Sequence, residues 1–89
     1  MIVTAELSLY PLTENYESPI INFIRVLKAT DNIEVMTHAM STFVRGECSD
    51  VLIAIDKALI SANQETETIS LVIKLITRSL PVDKGFLEF

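Results

Sequence analysis

The sequence predicts a single α+β domain whose elements run strand, helix, strand, strand, helix, strand. Three observations carry this. Apolar residues alternate with polar ones over residues 2–10, again over 33–45 around a turn, and again over 68–77, the two-residue period of strands with one buried face. Between these segments, 18–29 and 49–63 bring apolar residues back every three or four positions, as a helix with one buried stripe does. Polar, turn-forming residues separate most of the segments.

In the first strand Val3, Ala5, Leu7 and Leu9 form the apolar face, with Ile2, Thr4, Glu6, Ser8 and Tyr10 opposite. Pro11 lacks the amide that a central ladder needs and closes the strand, and the polar residues 13–17 read as a loop. Ser18-Pro19 is the expected helix start, a capping hydroxyl before a proline whose φ suits the first turn. Ile20, Phe23, Ile24 and Leu27 follow as the buried stripe, to about Ala29, which leaves Arg25 and Lys28 for solvent and the negative end of the dipole. After Thr30-Asp31-Asn32, the residues Ile33, Val35, Thr37 and Ala39 alternate with Glu34, Met36, His38 and Met40. A two-residue turn at Met40-Ser41 would set Ala39 opposite Thr42 and Thr37 opposite Val44. Met-Ser is weak turn chemistry, so tertiary contacts or a bulge are expected to hold that tip. Gly46 to Asp50 is expected to break the strand and open the second helix, capped by Ser49, with Val51, Ile55, Ala58, Leu59 and Ala62 as its stripe. Ile69, Leu71, Ile73 and Leu75 give the last strand its buried face.

Two right-handed crossovers around a central hairpin place both helices on one face of a four-stranded antiparallel sheet, the ferredoxin-like arrangement. Residues 1–80 make up this domain and 81–89 a C-terminal tail, whose apolar end Phe86-Leu87-Glu88-Phe89 is expected to be frayed or docked on a neighbour. The uncovered face carries Ile2, Met36, Phe43, Val72 and Ile76 among Thr4, Glu6, Ser8, His38, Arg45 and Lys74. That is more apolar surface than a small monomer ordinarily exposes, so a homo-oligomer, dimer or tetramer, is expected through the open sheet face. Chain length agrees, because a chain this small leaves much of its surface uncovered when folded alone.

Twelve acidic and seven basic residues give a formal charge of −5, which opposes a phosphate backbone and argues against nucleic acid as a partner. An RNA-binding sheet of this kind would also need aromatic and basic residues together, where this chain offers only Phe43 and Tyr10. Cys48 is the single cysteine, so no intrachain disulfide forms and a reducing cytoplasm fits. The opening Ile2-Val3-Thr4-Ala5-Glu6 does not read as a signal peptide, and every apolar run falls far short of the roughly 18 residues that cross a bilayer. A soluble cytoplasmic chain without membrane insertion is therefore expected.

Catalytic signatures are missing: there is no Gly-rich phosphate loop, no metal-spaced cysteine pair and no His-Glu-x-x-His. Neither a cofactor nor a metal is expected. After the first strand, Pro11-Leu12-Thr13-Glu14 is not the anion-cradling loop that acylphosphatase chemistry requires. His38 at a strand end offers a general base, but a lone histidine beside a hairpin reads better as a surface or interface residue. Cys48 lies near a helix start, between Glu47 and Asp50 whose charges oppose a thiolate, and reads as structural or incidental. Glu6 is placed to neutralise a bound cation or to pair with Arg45 or Lys74 across the sheet. Met36 and Met40 suit packing as well as ligand contact.

Several segments carry a resemblance: Glu6-Leu7-Ser8-Leu9-Tyr10-Pro11-Leu12, Ser18-Pro19-Ile20, Thr37-His38-Ala39-Met40-Ser41-Thr42, Gly46-Glu47 and Asp50-Val51-Leu52. Together they resemble the small thiamine-binding proteins of the MTH1187/YkoF-like family over nearly the whole chain, the first and third segments being the most specific. The sequence departs from that pattern at Ala39, where many members have proline, and at Cys48, where an aromatic is common. The resemblance implies a ferredoxin-like, oligomeric protein that binds thiamine or its hydroxymethylpyrimidine precursor, in salvage or transport of the vitamin, and does not turn it over. By segment, it implies Ser8, Tyr10, Thr37, Met40, Ser41 and Thr42 as ligand neighbours. The aminopyrimidine ring needs donors and acceptors such as hydroxyls, with Met and Tyr against its faces. A thiazolium cation favours a carboxylate such as Glu6 or Glu47, or an aromatic face such as Tyr10. Two other classes stand beside this reading: an enzyme acting on such a pyrimidine with His38 or Glu47 as acid or base, and a protein-interaction or regulatory module using the open sheet face.

Overall fold

The computed structural model describes residues 1–82. In chain order it holds β1 (Ile2–Pro11), α1 (Glu17–Ala29), β2 (Ile33–Thr37), β3 (Thr42–Glu47), α2 (Cys48–Asn63) and β4 (Ile69–Ile76). The strands form one antiparallel sheet in the order β2-β3-β1-β4, with the helices on one face, so the fold is the ferredoxin-like βαββαβ arrangement expected from the alternation. The apolar end of the tail, 86–89, lies outside the described residues.

The core is the layer between sheet and helices. Val3, Ala5 and Leu7 of β1 and Val44 of β3 meet Phe23 and Leu27 of α1 and Val51, Ala54, Ile55, Ala58 and Ala62 of α2, none more than 5% exposed. The helices sit over β1, β2 and β3 and make little contact with β4. That is why Ile73, expected on a buried face, is 43% exposed while Leu71 and Leu75 are half-buried. An edge strand outside the helices' footprint keeps its alternation but not its burial.

Local details depart from the sequence reading in four places. α1 starts at Glu17 with Tyr16 as its N-cap, so Ser18 lies inside the first turn and donates its hydroxyl to Glu65 Oε1 at 2.8 Å instead of capping. Pro19 still falls among the first amides, which have no intrahelical acceptor to lose. β3 runs through Gly46 to Glu47 and passes directly into α2 at Cys48, with Glu47, not Ser49, as N-cap. Gly46 suits the strand because a Cβ there would crowd the carbonyl oxygen of Asn32 at 3.0 Å, Asn32 itself being at φ 69° in the turn before β2. The hairpin pairs Thr37 with Thr42 and Val35 with Val44, two residues from the expected register. Its tip is Ala39-Met40, closed by the His38 amide donating to the Ser41 carbonyl at 2.8 Å. A shift of two leaves every side chain on its expected face, so burial alone could not distinguish the registers.

The fourth departure concerns the sheet face away from the helices. Residues 78–82 return across it as a strap. Thr4 Oγ1 donates to the carbonyl of Arg78 (2.8 Å) and accepts from the amide of Leu80 (2.9 Å); Arg45 donates to the carbonyl of Leu80 (2.7 Å). His38 Nε2 donates to the carbonyl of Val82 (2.9 Å), and its ring lies 4.4 Å from that of Phe43. Val82 is 4% exposed and Thr4 7%, so the chain itself covers part of the face expected to stand open. Ile2, Met36, Val72 and Ile76 remain exposed.

Candidate functional site

β1, with ten residues, is longer than either of its partners, β3 with six and β4 with eight. Its ladder with β4 continues to Pro11↔Ile69, whereas its ladder with β3 ends at Leu7↔Thr42. Beyond that point the chain of 38–41 turns away, and Ile20 and Ile24 of α1 close the space from the helix side. The result is a cleft of about 260 Å³ lined by Leu7 to Tyr10, by Ile20 and Ile24, and by Thr37 to Thr42. Its size lies just under the roughly 300–1,000 Å³ of sites for drug-sized ligands and suits something as small as a single substituted ring.

The lining has two chemistries. Leu7, Leu9, Ile20 and Ile24 supply apolar surface; Ser8, Tyr10, Thr37, Ser41 and Thr42 bring hydroxyl-bearing side chains, and Met40 lies at the rim, 92% exposed. Thr37 and Thr42 hydroxyls hydrogen-bond each other at 3.3 Å, and Ser41 donates to Glu6 Oε2 at 3.0 Å. Six of the eight residues expected from sequence therefore line one cleft, and Glu6 adjoins it through Ser41. Glu47 does not join them. It sits at the far end of β3, where its carboxylate accepts from the Met1 ammonium at 2.8 Å and holds that group's pKa above its ordinary value by hydrogen bond and charge.

Other expected pairings also resolve differently. Arg45 bonds Glu34 and the strap, not Glu6. Lys74 is opposite Glu6 in the ladder but forms no ion pair with it among the described residues. His38 and Glu47, the groups an enzymatic reading would use, lie at opposite ends of β3, and the His38 ring is engaged by Val82 and Phe43. Sequence reasoning missed Leu9, Ile20 and Ile24 as lining residues. The available signal was strand length: a ten-residue β1 cannot be covered along its whole edge by a six-residue β3.

Two larger depressions flank the helices, about 500 Å³ beside Asn15, Arg25 and Glu65 and about 480 Å³ beside Asp31, Asp50 and Lys57. Both are more open than the hairpin cleft and more of their lining surface is polar, so the smaller site is the better candidate. Among the described residues no group of three His, Cys, Asp or Glu side chains is placed to hold a metal, and no helix is long and apolar enough to cross a membrane.

Comparison with known proteins agrees with the architecture. A Streptococcus pneumoniae protein superposes with a TM-score of 0.81 at 21% identity, covering 90% of each chain. A hypothetical protein of Methanocaldococcus jannaschii matches with a TM-score of 0.78 at 27% identity, over 94% of this chain and 84% of that one. A Thermotoga maritima protein, provisionally assigned to thiamine biosynthesis or salvage, matches with a TM-score of 0.78 at 15% identity, over 88% and 85%. Comparison with curated proteins gives no match. The model of the YKOF-related family matches residues 2–80, nearly the whole of the described fold, and the chain belongs to that family.

Proposed function

We propose that this chain is a non-catalytic, cytoplasmic binding protein for thiamine or its hydroxymethylpyrimidine precursor, acting in salvage or transport of the vitamin. The supporting observation is the hairpin cleft, which gathers Ser8, Tyr10, Thr37, Met40, Ser41 and Thr42 around an apolar floor of about the right size for one ring. Hydroxyls around the rim suit the mixed donors and acceptors of an aminopyrimidine, and the floor suits its faces. Glu6, reached through Ser41, and the net charge of −5 favour a ligand bearing a positive charge. The assignment of the Thermotoga maritima neighbour points the same way.

Titration calorimetry with hydroxymethylpyrimidine and with thiamine tests the reading. Saturable heat with one of them is expected; no heat and no thermal shift at millimolar ligand overturns it. We further propose that a second copy covers Ile2, Met36, Val72 and Ile76 on the back of the sheet, which are 38–56% exposed beside the strap. A mass of one chain by light scattering at micromolar concentration overturns that. The same four side chains favour a second reading, a protein-interaction or regulatory module, which gains support if the chain is monomeric and binds neither ligand.

A further inference from the structure

In an antiparallel ladder, alternate residues of a central strand direct both N–H and C=O to one neighbour and the residues between them to the other. Two bonds at the ends of the ladders reveal which residues of β1 face which side. The Cys48 amide donates to the Met1 carbonyl at 2.9 Å, on the β3 side, and the Leu12 amide donates to the Thr68 carbonyl at 2.9 Å, on the β4 side. Both ladders keep a constant register, so odd residues of β1 face β3 and even residues face β4. Leu7, opposite Thr42, is the last odd residue with a β3 partner. Leu9 therefore directs its N–H and C=O past the end of β3 into the cleft, and no backbone bond engages either group among the described residues.

We propose that the main-chain N–H and C=O of Leu9 are the recognition pair of this cleft, and that they bind a flat nitrogen heterocycle presenting an acceptor ring nitrogen beside an amino donor. The proposal rests on the binding reading above and deepens it. Such a ring edge has the same donor and acceptor complement that a neighbouring strand would offer, so it completes the ladder by one position. Leu9 is half-buried, and a ring seated beside it would take the place of water at its main-chain groups and so has to supply their hydrogen bonds. The apolar floor meets the faces of the ring. A peptide strand fits this edge poorly: the next position facing the cleft is Pro11, which has no amide to offer, and the turn at 38–41 bounds the other side. One donor and one acceptor in a cleft of about 260 Å³ suit a small ring.

The experiment combines amide hydrogen exchange with titration of hydroxymethylpyrimidine and of the same ring lacking its amino group. In the free protein the Leu9 amide is expected to exchange faster than those of Leu7 and Ser8, which face β3 and β4. Exchange as slow as theirs overturns the proposal. With hydroxymethylpyrimidine bound, the Leu9 amide is expected to become protected, and the ring without the amino group to bind at least about tenfold more weakly. Equal binding of the two rings, or binding without protection at Leu9, overturns the proposal while leaving the binding reading intact. Absence of binding by either ring defeats the binding reading and the proposal with it. Leu9→Pro removes the donor without touching the β4 ladder and is expected to abolish the preference for the amino-bearing ring, whereas Leu9→Ala is expected to retain it. If the proline variant fails to fold, the exchange and analogue measurements on the unaltered chain still decide.

Discussion

From Thr4 to Leu7, β1 lies between β3 and β4; from Ser8 to Pro11 it lies beside β4 alone. The sequence pattern is nearly the same in both stretches, apolar at odd positions and mostly polar at even ones. Burial is not. Ala5 and Leu7 are 1–2% exposed, whereas Leu9 is half-buried and Tyr10 is 54% exposed. Alternation decides which way a side chain points, but the neighbouring strands and the helices packed over them decide how deeply it is buried, and the strands decide whether the main chain beneath it is paired. The doubly flanked stretch is tied into the core; in the singly flanked stretch Leu9 has no backbone partner among the described residues.

The sharpest way to break this comparison is to truncate one leucine in each stretch. Leu7→Ala removes a side chain that is 2% exposed and is expected to cost about 2–5 kcal/mol. Leu9→Ala, two residues along the same face, is expected to cost about 1–2 kcal/mol, because water already reaches part of that side chain. Urea denaturation of both variants measures the difference. Equal losses would mean that the second stretch is as well packed as the first.

A smaller effect sharpens the account of the doubly flanked stretch from its other face. The Thr4 hydroxyl both donates to Arg78 and accepts from Leu80, so Thr4→Val leaves two strap groups without that partner at nearly constant volume. A loss of about 1–2 kcal/mol is expected, together with faster exchange of the Leu80 amide. If that amide stays protected, the contacts of Arg45 and His38 are enough to hold the strap.

The elements and their faces were legible in the sequence because period two and period 3.6 are properties of local geometry, which is why β1, both helices and the inward Val3, Leu7, Phe23 and Leu27 could be placed from spacing alone. The hairpin register was not, since a slip of two residues preserves every face and Met-Ser carries no strong turn preference. The strap was hidden for a different reason. Its anchors are main-chain carbonyls and one amide around Leu80, met by Thr4, Arg45 and His38 far away in sequence, and no side-chain pattern in 78–82 announces them. At the candidate site, the hydroxyl-bearing residues stood out in the segments that resemble thiamine-binding proteins, while Leu9, Ile20 and Ile24 read simply as parts of apolar stripes. Seeing them as a cleft requires knowing where β3 stops.

The smallest expected effect on stability is at Tyr10, and it separates folding from binding within the singly flanked stretch. Its side chain is 54% exposed and lines the cleft opposite the turn, so Tyr10→Ala gives up little buried surface and is expected to change the unfolding free energy by less than about 0.5 kcal/mol. The ring's contribution to a bound heterocycle would be lost, so the affinity for hydroxymethylpyrimidine is expected to fall several-fold by calorimetry. A variant that unfolds as readily as Leu7→Ala would show that β1 depends on this stretch after all. A variant with unchanged affinity would confine recognition to the Leu9 main chain and the apolar floor, because among the described residues Tyr10 is the only aromatic side chain other than His38 that lines the cleft.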